Sequence, residues 1–262
     1  MPTILDKITA DKRLQVERDR TRVPIADLEQ LPHFNRRRVS LRGRLRAADS
    51  TGIIAEFKRY SPSKQWIHRG ARVDDVVPSY EQHGAAGVSI LTDEPYFRGA
   101  NADLTTARTL VELPLLRKEF IIDEYQIIEA AAIGADAVLL ISECLTRTEV
   151  RRFAALAKSL GLEVLLELHG REQLEKYTDD VDLIGVNNRD LNTFRVDYDR
   201  SIALLDELPT GAVRIAESGL SDPATVRRLR AAGFEGFLMG EHFMRHSHPG
   251  AALRNFVTAL RA

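Results

Sequence analysis

Short apolar segments alternate with longer amphipathic segments along most of this chain. Eight runs rich in aliphatic residues are short enough to be strands and are apolar at nearly every position, which is typical of parallel strands buried on both faces. The predicted strands are Ile53–Phe57, Val88–Leu91, Leu115–Arg117, Ala137–Ile141, Val164–Leu168, Leu183–Val186, Val213–Ala216 and Gly236–Met239.

Stretches with helical character lie between the predicted strands. The predicted helices are Asp74–His83, Asn101–Glu112, Asp123–Ile133, Arg147–Leu160, Arg171–Tyr177, Tyr198–Leu208, Pro223–Ala232 and Gly250–Arg261. Eight strand–helix units in succession indicate an α/β protein, a (β/α)8 TIM barrel. An open, doubly wound sheet is the alternative, because alternation alone does not show that the sheet closes.

The first fifty residues precede the first predicted strand. Between positions 4 and 18 apolar and charged residues interleave at roughly helical spacing, which predicts an amphipathic helix. Pro24 and Pro32 predict breaks, and the basic stretch Arg36–Leu45 predicts a further short helix. We therefore expect one domain over residues 1–262, with a helical extension at 1–50 and eight βα units at 51–262.

Length and charge narrow the class of protein. The chain has 262 residues, close to the roughly 250 of a single β/α barrel, and 44% hydrophobic residues are enough for a large core. The net charge of −1 leaves no basic excess for neutralising phosphates, so we expect no nucleic-acid partner. The run Arg36-Arg37-Arg38 is accordingly interpreted as a solvated helix face.

The apolar runs and the single cysteine indicate in which cellular compartment the protein is expected. No run approaches the roughly 20 apolar residues of a membrane span, and Met1–Arg20 is charged without a signal-like apolar region. We expect a cytoplasmic protein without a membrane partner. Cys144 is the only cysteine, so no intrachain disulfide is expected, and we predict that it is a packing residue.

Ionisable and amide side chains gather where the predicted strands end. Glu56 and Lys58 are two residues apart and should lie on the same face of the first strand. Similar groups end later strands: Arg117-Lys118-Glu119, Ser142-Glu143, Glu167, Asn187-Asn188-Arg189 and Glu217-Ser218. Any one of them could belong to a structural ion pair, but chemistry at the carboxyl ends of many strands is typical of a β/α-barrel active site.

Five motifs, in order along the chain, resemble those of the indole-3-glycerol-phosphate synthase family, the β/α-barrel enzymes of tryptophan biosynthesis. The motifs are Glu56-Phe57-Lys58-Arg59-Tyr60-Ser61-Pro62-Ser63-Lys64, Val88-Ser89-Ile90-Leu91-Thr92, Leu116-Arg117-Lys118-Glu119-Phe120-Ile121-Ile122-Asp123, Gly185-Val186-Asn187-Asn188-Arg189-Asp190-Leu191 and Ala216-Glu217-Ser218-Gly219. The chain departs from the family at Gln65, where glycine is usual, and at Glu241, where many relatives have serine.

The resemblance implies a barrel with extra N-terminal helices near its mouth and a lyase that needs no cofactor. Its substrate would be 1-(2-carboxyphenylamino)-1-deoxyribulose 5-phosphate, which is converted to indole-3-glycerol phosphate with loss of carbon dioxide and water. Lys118 would be the general acid for the ribulose carbonyl, and Glu167 the general base of the dehydration. The other residues with an implied role are Lys58, Glu56, Asn187 and Ser218 in catalysis, and Ser61, Arg189, Glu217, Gly219, Gly240 and Glu241 in substrate binding.

The substrate phosphate needs a binding site of its own. Barrels often hold phosphate with backbone N–H groups of the loops after strands seven and eight, here Ser218-Gly219 and Gly240-Glu241. Glycine at these positions would let the backbone approach the phosphate closely. Three histidines at positions 242, 246 and 248 lack accompanying carboxylates, so no metal site is predicted.

Two other functions stay open at this point. One is another phosphate-binding barrel lyase or aldolase that uses Lys58 or Lys118 as a Schiff-base nucleophile. The other is a non-catalytic paralogue that only binds phosphorylated ligands or a partner subunit. The expected partner is a small phosphorylated molecule, and the chain could be a monomer or a homodimer.

Overall fold

Eight parallel strands close into a barrel in the computed structural model, which describes residues 3–190 and 195–262. The strands are β1 (Ile53–Phe57), β2 (Gly87–Leu91), β3 (Leu115–Lys118), β4 (Ala137–Ile141), β5 (Glu163–Leu168), β6 (Leu183–Asn187), β7 (Val213–Glu217) and β8 (Gly236–Met239). Closure is seen at Ala55 of β1, which lies opposite Val88 of β2 on one side and Met239 of β8 on the other. The predicted TIM barrel is confirmed, and the open sheet is excluded.

Helices surround the barrel and precede it. They are α1 (Ile4–Arg22), α2 (Ile25–Leu28), α3 (Leu41–Arg46), α4 (Val73–Gln82), α5 (Glu94–Phe97), α6 (Asn101–Leu110), α7 (Glu124–Ile133), α8 (Arg147–Ser159), α9 (Tyr198–Leu204), α10 (Pro223–Ala232), α11 (Glu241–Met244) and α12 (Pro249–Arg261). Short 3₁₀ turns lie at Ser142–Cys144, Arg171–Lys176 and Leu205–Glu207, so the predicted helix Arg171–Tyr177 is a 3₁₀ helix. No helix in the described ranges is long and apolar enough to span a membrane.

The prediction for the basic stretch of the extension was wrong in two respects. The helix does not begin at Arg36: Ser40 caps α3 by accepting a hydrogen bond from the Gly43 N–H. Nor do all three arginines before it form a solvated face: Arg37 is exposed, but Arg36 and Arg38 are partly buried. The Arg36 guanidinium donates to the Gly134 carbonyl at 2.8 Å and pairs with a carboxylate of the barrel, and that of Arg38 donates to the Phe34 carbonyl at 2.6 Å. These side chains satisfy backbone carbonyls, which a pattern of charges along the sequence does not reveal.

Alternate residues of each strand face the surrounding helices and the barrel interior. In β1, Ile53 and Ala55 pack outward in the large cluster shared with the helices, whereas Ile54 belongs to the interior cluster. Leu41 and Leu45 of α3 join that interior cluster and lie against the amino-terminal ends of β2 and β8. The helix therefore closes the bottom of the barrel. At the opposite end the inward positions are polar.

Helix α1 is attached at the polar end through a buried ammonium group. Lys12 is 2% exposed, and its Nζ lies 2.8 Å from Asp93 Oδ2 and 2.9 Å from Glu119 Oε1. Asp93 and Glu119 come just after β2 and β3, and both are buried. Separating these buried charges would leave them uncompensated in a low dielectric, which is costly. The ion cluster therefore holds α1, and with it the extension, against the barrel.

Replacing Lys12 with methionine should lower the free energy of unfolding by about 3–5 kcal/mol, the usual cost of breaking a buried ion pair from one side. The two buried carboxylates would then lose the ammonium group that lies between them. Urea unfolding measures the change, and Lys7→Met in the same helix is the matched control because Lys7 is exposed. Equal stability of the two variants would contradict the role given to Lys12.

Candidate active site

A cavity of about 580 Å³ opens at the carboxyl ends of the barrel strands. All twelve residues singled out from the sequence line it: Glu56, Lys58, Ser61, Lys118, Glu167, Asn187, Arg189, Glu217, Ser218, Gly219, Gly240 and Glu241. They come from β1, β3, β5, β6, β7 and β8 or from the loops that follow these strands. Ile4, Leu5 and Ile8 of α1 form part of the wall, so the extension lies at the mouth.

Lys118 lies at the centre of the polar groups in this cavity. Its Nζ donates to Glu167 Oε2 at 3.0 Å and to Glu217 Oε2 at 2.8 Å. Burial alone would lower the pKa of Lys118, but the two carboxylates outweigh it and raise the pKa above the ordinary lysine value. Lys118 therefore holds its proton in this arrangement.

Glu167, the first of these two carboxylates, is ionised. Burial alone would raise its pKa, but the Lys118 ammonium, helped by His169 and by a hydrogen bond from Asn187, lowers the pKa well below the ordinary glutamate value. Asn187 Nδ2 donates to Glu167 Oε1 at 3.0 Å and so fixes the carboxylate plane. A protonated acid and an ionised base thus stand side by side.

Glu56 and Lys58 form a second ion pair, as the period of the strand predicts. Lys58 Nζ lies 2.7 Å from Glu56 Oε1, and Ser89 Oγ donates to the other carboxylate oxygen at 3.3 Å. A Cβ atom at Gly240 would lie only 2.6 Å from Glu56 Oε1. The glycine at this position is therefore required by the neighbouring carboxylate, a constraint that the sequence analysis did not foresee.

The loop after β1 folds into a small hairpin, Tyr60–Ser61 against Gln65–Trp66, beside the mouth. Gln65 has a φ of +60°, a conformation that glycine adopts more readily. The backbone at position 65 thus has the left-handed conformation that explains why glycine is usual here in the family, and in this chain glutamine adopts it. Gln65 Oε1 accepts a hydrogen bond from the Tyr60 hydroxyl at 2.5 Å, which offsets part of the conformational cost.

Glu241 turns its side chain toward this first loop. Its Oε1 lies 3.5 Å from Lys64 Nζ, and the side chains are 39% and 52% exposed, so the pair adds little stability. On the neighbouring loop Ser218 and Gly219 have φ angles of +71° and +76°, a tight turn at the end of β7. Leu191, the last residue of the fourth motif, lies outside the described residues.

Several residues of the cavity were missed from the sequence. The apolar wall includes Phe97 and Phe120, and Arg245 lies near the loop after β8. His169 also lines the cavity, with Nε2 3.2 Å from Glu167 Oε1. The rule that found Lys58 beside Glu56 would have found His169, which follows Glu167 by two positions.

Two further features considered in the sequence analysis are the single cysteine and possible metal ligands. Cys144 is half-buried against the core, as predicted, and burial raises the pKa of its thiol to about 12. Within the described ranges no group of three or more His, Cys, Asp or Glu side chains is arranged to hold a metal ion.

Comparison with known proteins shows which family this sequence matches. The family model described as indole-3-glycerol phosphate synthase matches residues 5–256. The indole-3-glycerol phosphate synthase of Bacteroides thetaiotaomicron is 48% identical over 261 residues, which cover 100% of each chain. That of Salinibacter ruber is 45% identical over 254 residues, 96% of this chain and 94% of the relative.

Solved structures extend the likeness of fold beyond the likeness of sequence. A 3-hexulose-6-phosphate synthase from Salmonella typhimurium superposes with a TM-score of 0.62 at 15% identity, over 80% of this chain and 99% of that one. At this identity the likeness concerns the barrel alone. Sequence similarity along nearly the whole chain is what decides the family: the chain belongs to the indole-3-glycerol phosphate synthase family.

Proposed function

We propose that this chain converts 1-(2-carboxyphenylamino)-1-deoxyribulose 5-phosphate to indole-3-glycerol phosphate, carbon dioxide and water, with Lys118 as general acid and Glu167 as general base. The family to which the chain belongs makes it a decarboxylating lyase of tryptophan biosynthesis. The observation that carries the two roles is the direct contact of the Lys118 ammonium with the Glu167 carboxylate inside the cavity.

Ring closure requires a strong electrophile. An aromatic carbon of the anthranilate ring attacks the ribulose carbonyl, and the carbonyl oxygen gains negative charge as the bond forms. Lys118 holds its proton beside the two carboxylates and donates it to that oxygen of the bound substrate. The new carbon–carbon bond is then followed by loss of the ring carboxyl group as carbon dioxide, which restores aromaticity.

Dehydration requires a base. The hydroxyl group formed from the carbonyl takes up a proton, for which the Lys58 ammonium is the second donor in the cavity, and leaves as water. A proton is removed from the former sugar chain to make the indole double bond. Glu167 is ionised and is held by Asn187, so it can accept that proton. When the substrate draws Lys118 away, Glu167 loses its main counter-charge and becomes a stronger base.

The anionic ends of the substrate have separate partners. Lys58, held by Glu56 at 2.7 Å, supplies a second cation to the cavity. The turns at Gly219 and Gly240, after β7 and β8, offer backbone N–H groups for the phosphate, and Ser61 and Arg189 line other parts of the wall. A charged phosphate far from the reacting carbons can position the substrate without sharing in the bond changes.

The aldolase alternative is not favoured, because both candidate lysines are ion-paired: Lys58 with Glu56, and Lys118 with two carboxylates. A Schiff-base lysine must be neutral to attack a carbonyl, whereas the two carboxylates raise the pKa of Lys118.

As a compartment we propose the cytoplasm, because a substrate with a phosphate and a carboxylate does not cross membranes unaided. Cell fractionation with an activity assay tests this placement.

Glu217 shares the Lys118 ammonium, and its place depends on a glycine. Burial and the neighbouring Glu167 raise the pKa of Glu217 to about 7, despite the lowering effect of Lys118. A Cβ atom at Gly185 of β6 would overlap Glu217 Oε1. Gly185 therefore leaves the space in which Glu217 reaches Lys118.

Lys118→Met should lower kcat by about 10²- to 10⁴-fold, since it removes the group that protonates the carbonyl. Indole fluorescence after addition of the carboxyphenylamino-deoxyribulose phosphate measures the rate. Turnover by the wild-type protein is the test of the proposed reaction itself. A variant that kept half of the wild-type kcat would show that Lys118 is not the acid.

Gly185→Ala should lower kcat by about tenfold or more, because a displaced Glu217 loses a hydrogen bond to a charged group. Gly211→Ala is the matched control: its nearest neighbour to an added Cβ is the Tyr177 hydroxyl at 4.0 Å. The same assay and a thermal melt are run on both variants. Equal kcat values for the two would remove Glu217 from the account of the site.

A further inference from the structure

His169 occupies a buried position at one edge of the catalytic groups. It follows the last residue of β5 and lines the cavity, with its side chain 11% exposed. Its Nε2 lies 3.2 Å from Glu167 Oε1, and neither ring nitrogen has a hydrogen-bonding partner of good geometry among the described residues. Buried polar atoms are usually paired, so these two nitrogens call for an explanation.

Hydrogen bonds to the backbone around His169 hold the residue in position. The His169 N–H donates to Gln173 Oε1 at 2.8 Å, and Gln173 is 5% exposed in the following 3₁₀ helix. Ser142 Oγ donates to the Glu167 carbonyl at 2.7 Å, which holds the end of β5 against the end of β4. His169 is thus fixed beside Glu167.

The carboxylates of the ion-paired cluster in the cavity outnumber its ammonium groups. Direct ion-pair contacts between described residues join three carboxylates and two ammonium groups: Glu56 with Lys58, and Lys118 with Glu167 and Glu217. The cluster thus has one more carboxylate than ammonium groups, and burial answers part of this excess by raising the pKa of Glu217 to about 7. A protonated imidazole at His169 would add a positive charge 3.2 Å from Glu167, the carboxylate that must stay ionised to act as the base.

We propose that His169, as an imidazolium, is the positioning residue of Glu167 and supplies its counter-charge when Lys118 turns to the substrate. The proposal rests on the base role proposed for Glu167. The imidazolium holds the carboxylate in place beside Asn187 while the acid is engaged elsewhere. It donates no proton to the substrate and forms no bond to it.

The surroundings of His169 favour the cation. Burial alone would lower its pKa, but Glu167 of its own strand, Glu217 of β7 and Glu143 after β4 raise the pKa above the ordinary histidine value of about 6.5. Lys118 contacts the other oxygen of the same carboxylate, Glu167 Oε2, at 3.0 Å, and the cations Arg189 and Arg245 also line the cavity. The imidazolium is present below the raised pKa and is lost as the pH rises through it, so kcat should fall on that alkaline side.

The test compares His169→Asn with wild-type protein over a pH range that spans about 6 to 9, around the ordinary histidine pKa. We expect kcat of the variant to be lower by about tenfold, the usual effect of removing a hydrogen bond to a charged group, with little change in KM. The alkaline fall of kcat attributed to His169 should be absent. His246→Asn, a change at an exposed histidine outside the cavity, should retain the wild-type profile.

Nuclear magnetic resonance provides a readout that does not depend on turnover. The imidazole signal missing in His169→Asn identifies His169, which should titrate above about 6.5 in wild-type protein and at a lower pH in Glu167→Gln. Titration at or below 6.5, or an unchanged kcat profile in His169→Asn, would overturn the proposal. Absence of indole-3-glycerol phosphate from wild-type reactions would instead overturn the proposed function, whatever the titration shows.

Discussion

The contact of one ammonium group with two buried carboxylates is the constraint on which the active site depends. Lys118 can bind Glu167 and Glu217 because β3, β5 and β7 direct inward-facing residues to the same end of the barrel. An ammonium buried there without partners would lose its proton, and carboxylates buried without it would gain one. The arrangement therefore sets the resting protonation states that the proposed acid and base require.

The rest of the fold supports this contact from several directions. Gly185 and Gly240 leave space for Glu217 and Glu56, at positions where a Cβ atom would collide with a carboxylate oxygen. The buried Lys12 connects α1 to the loops after β2 and β3 and so brings an apolar wall to the cavity. Apolar packing fills the barrel below, where α3 closes the bottom. The polar groups of the active site thus lie above an apolar core that fills the barrel.

The sequence predicted the barrel and the location of the site because both follow from simple periods. Buried parallel strands are apolar throughout, and their boundaries came out within one or two residues. Period two placed Lys58 beside Glu56, and would have placed His169 beside Glu167. Lys12 was not foreseen, because its partners Asp93 and Glu119 lie far along the chain and only the closed fold brings them together. The need for glycine at position 185 was not foreseen for the same reason: it depends on the carboxylate of Glu217, which only the folded sheet brings next to Gly185.

The central claim is a division of labour in which Lys118 serves ring closure and Glu167 serves dehydration. Single-turnover reactions of Glu167→Gln separate the two steps, because carbon dioxide leaves after ring closure and the indole forms only on dehydration. Quenched samples give the release of carbon dioxide, and fluorescence gives the indole. The account predicts that carbon dioxide appears at close to the wild-type rate while indole formation is slowed by about 10²-fold or more. Carbon dioxide and indole slowed to the same extent, or neither slowed, would contradict it.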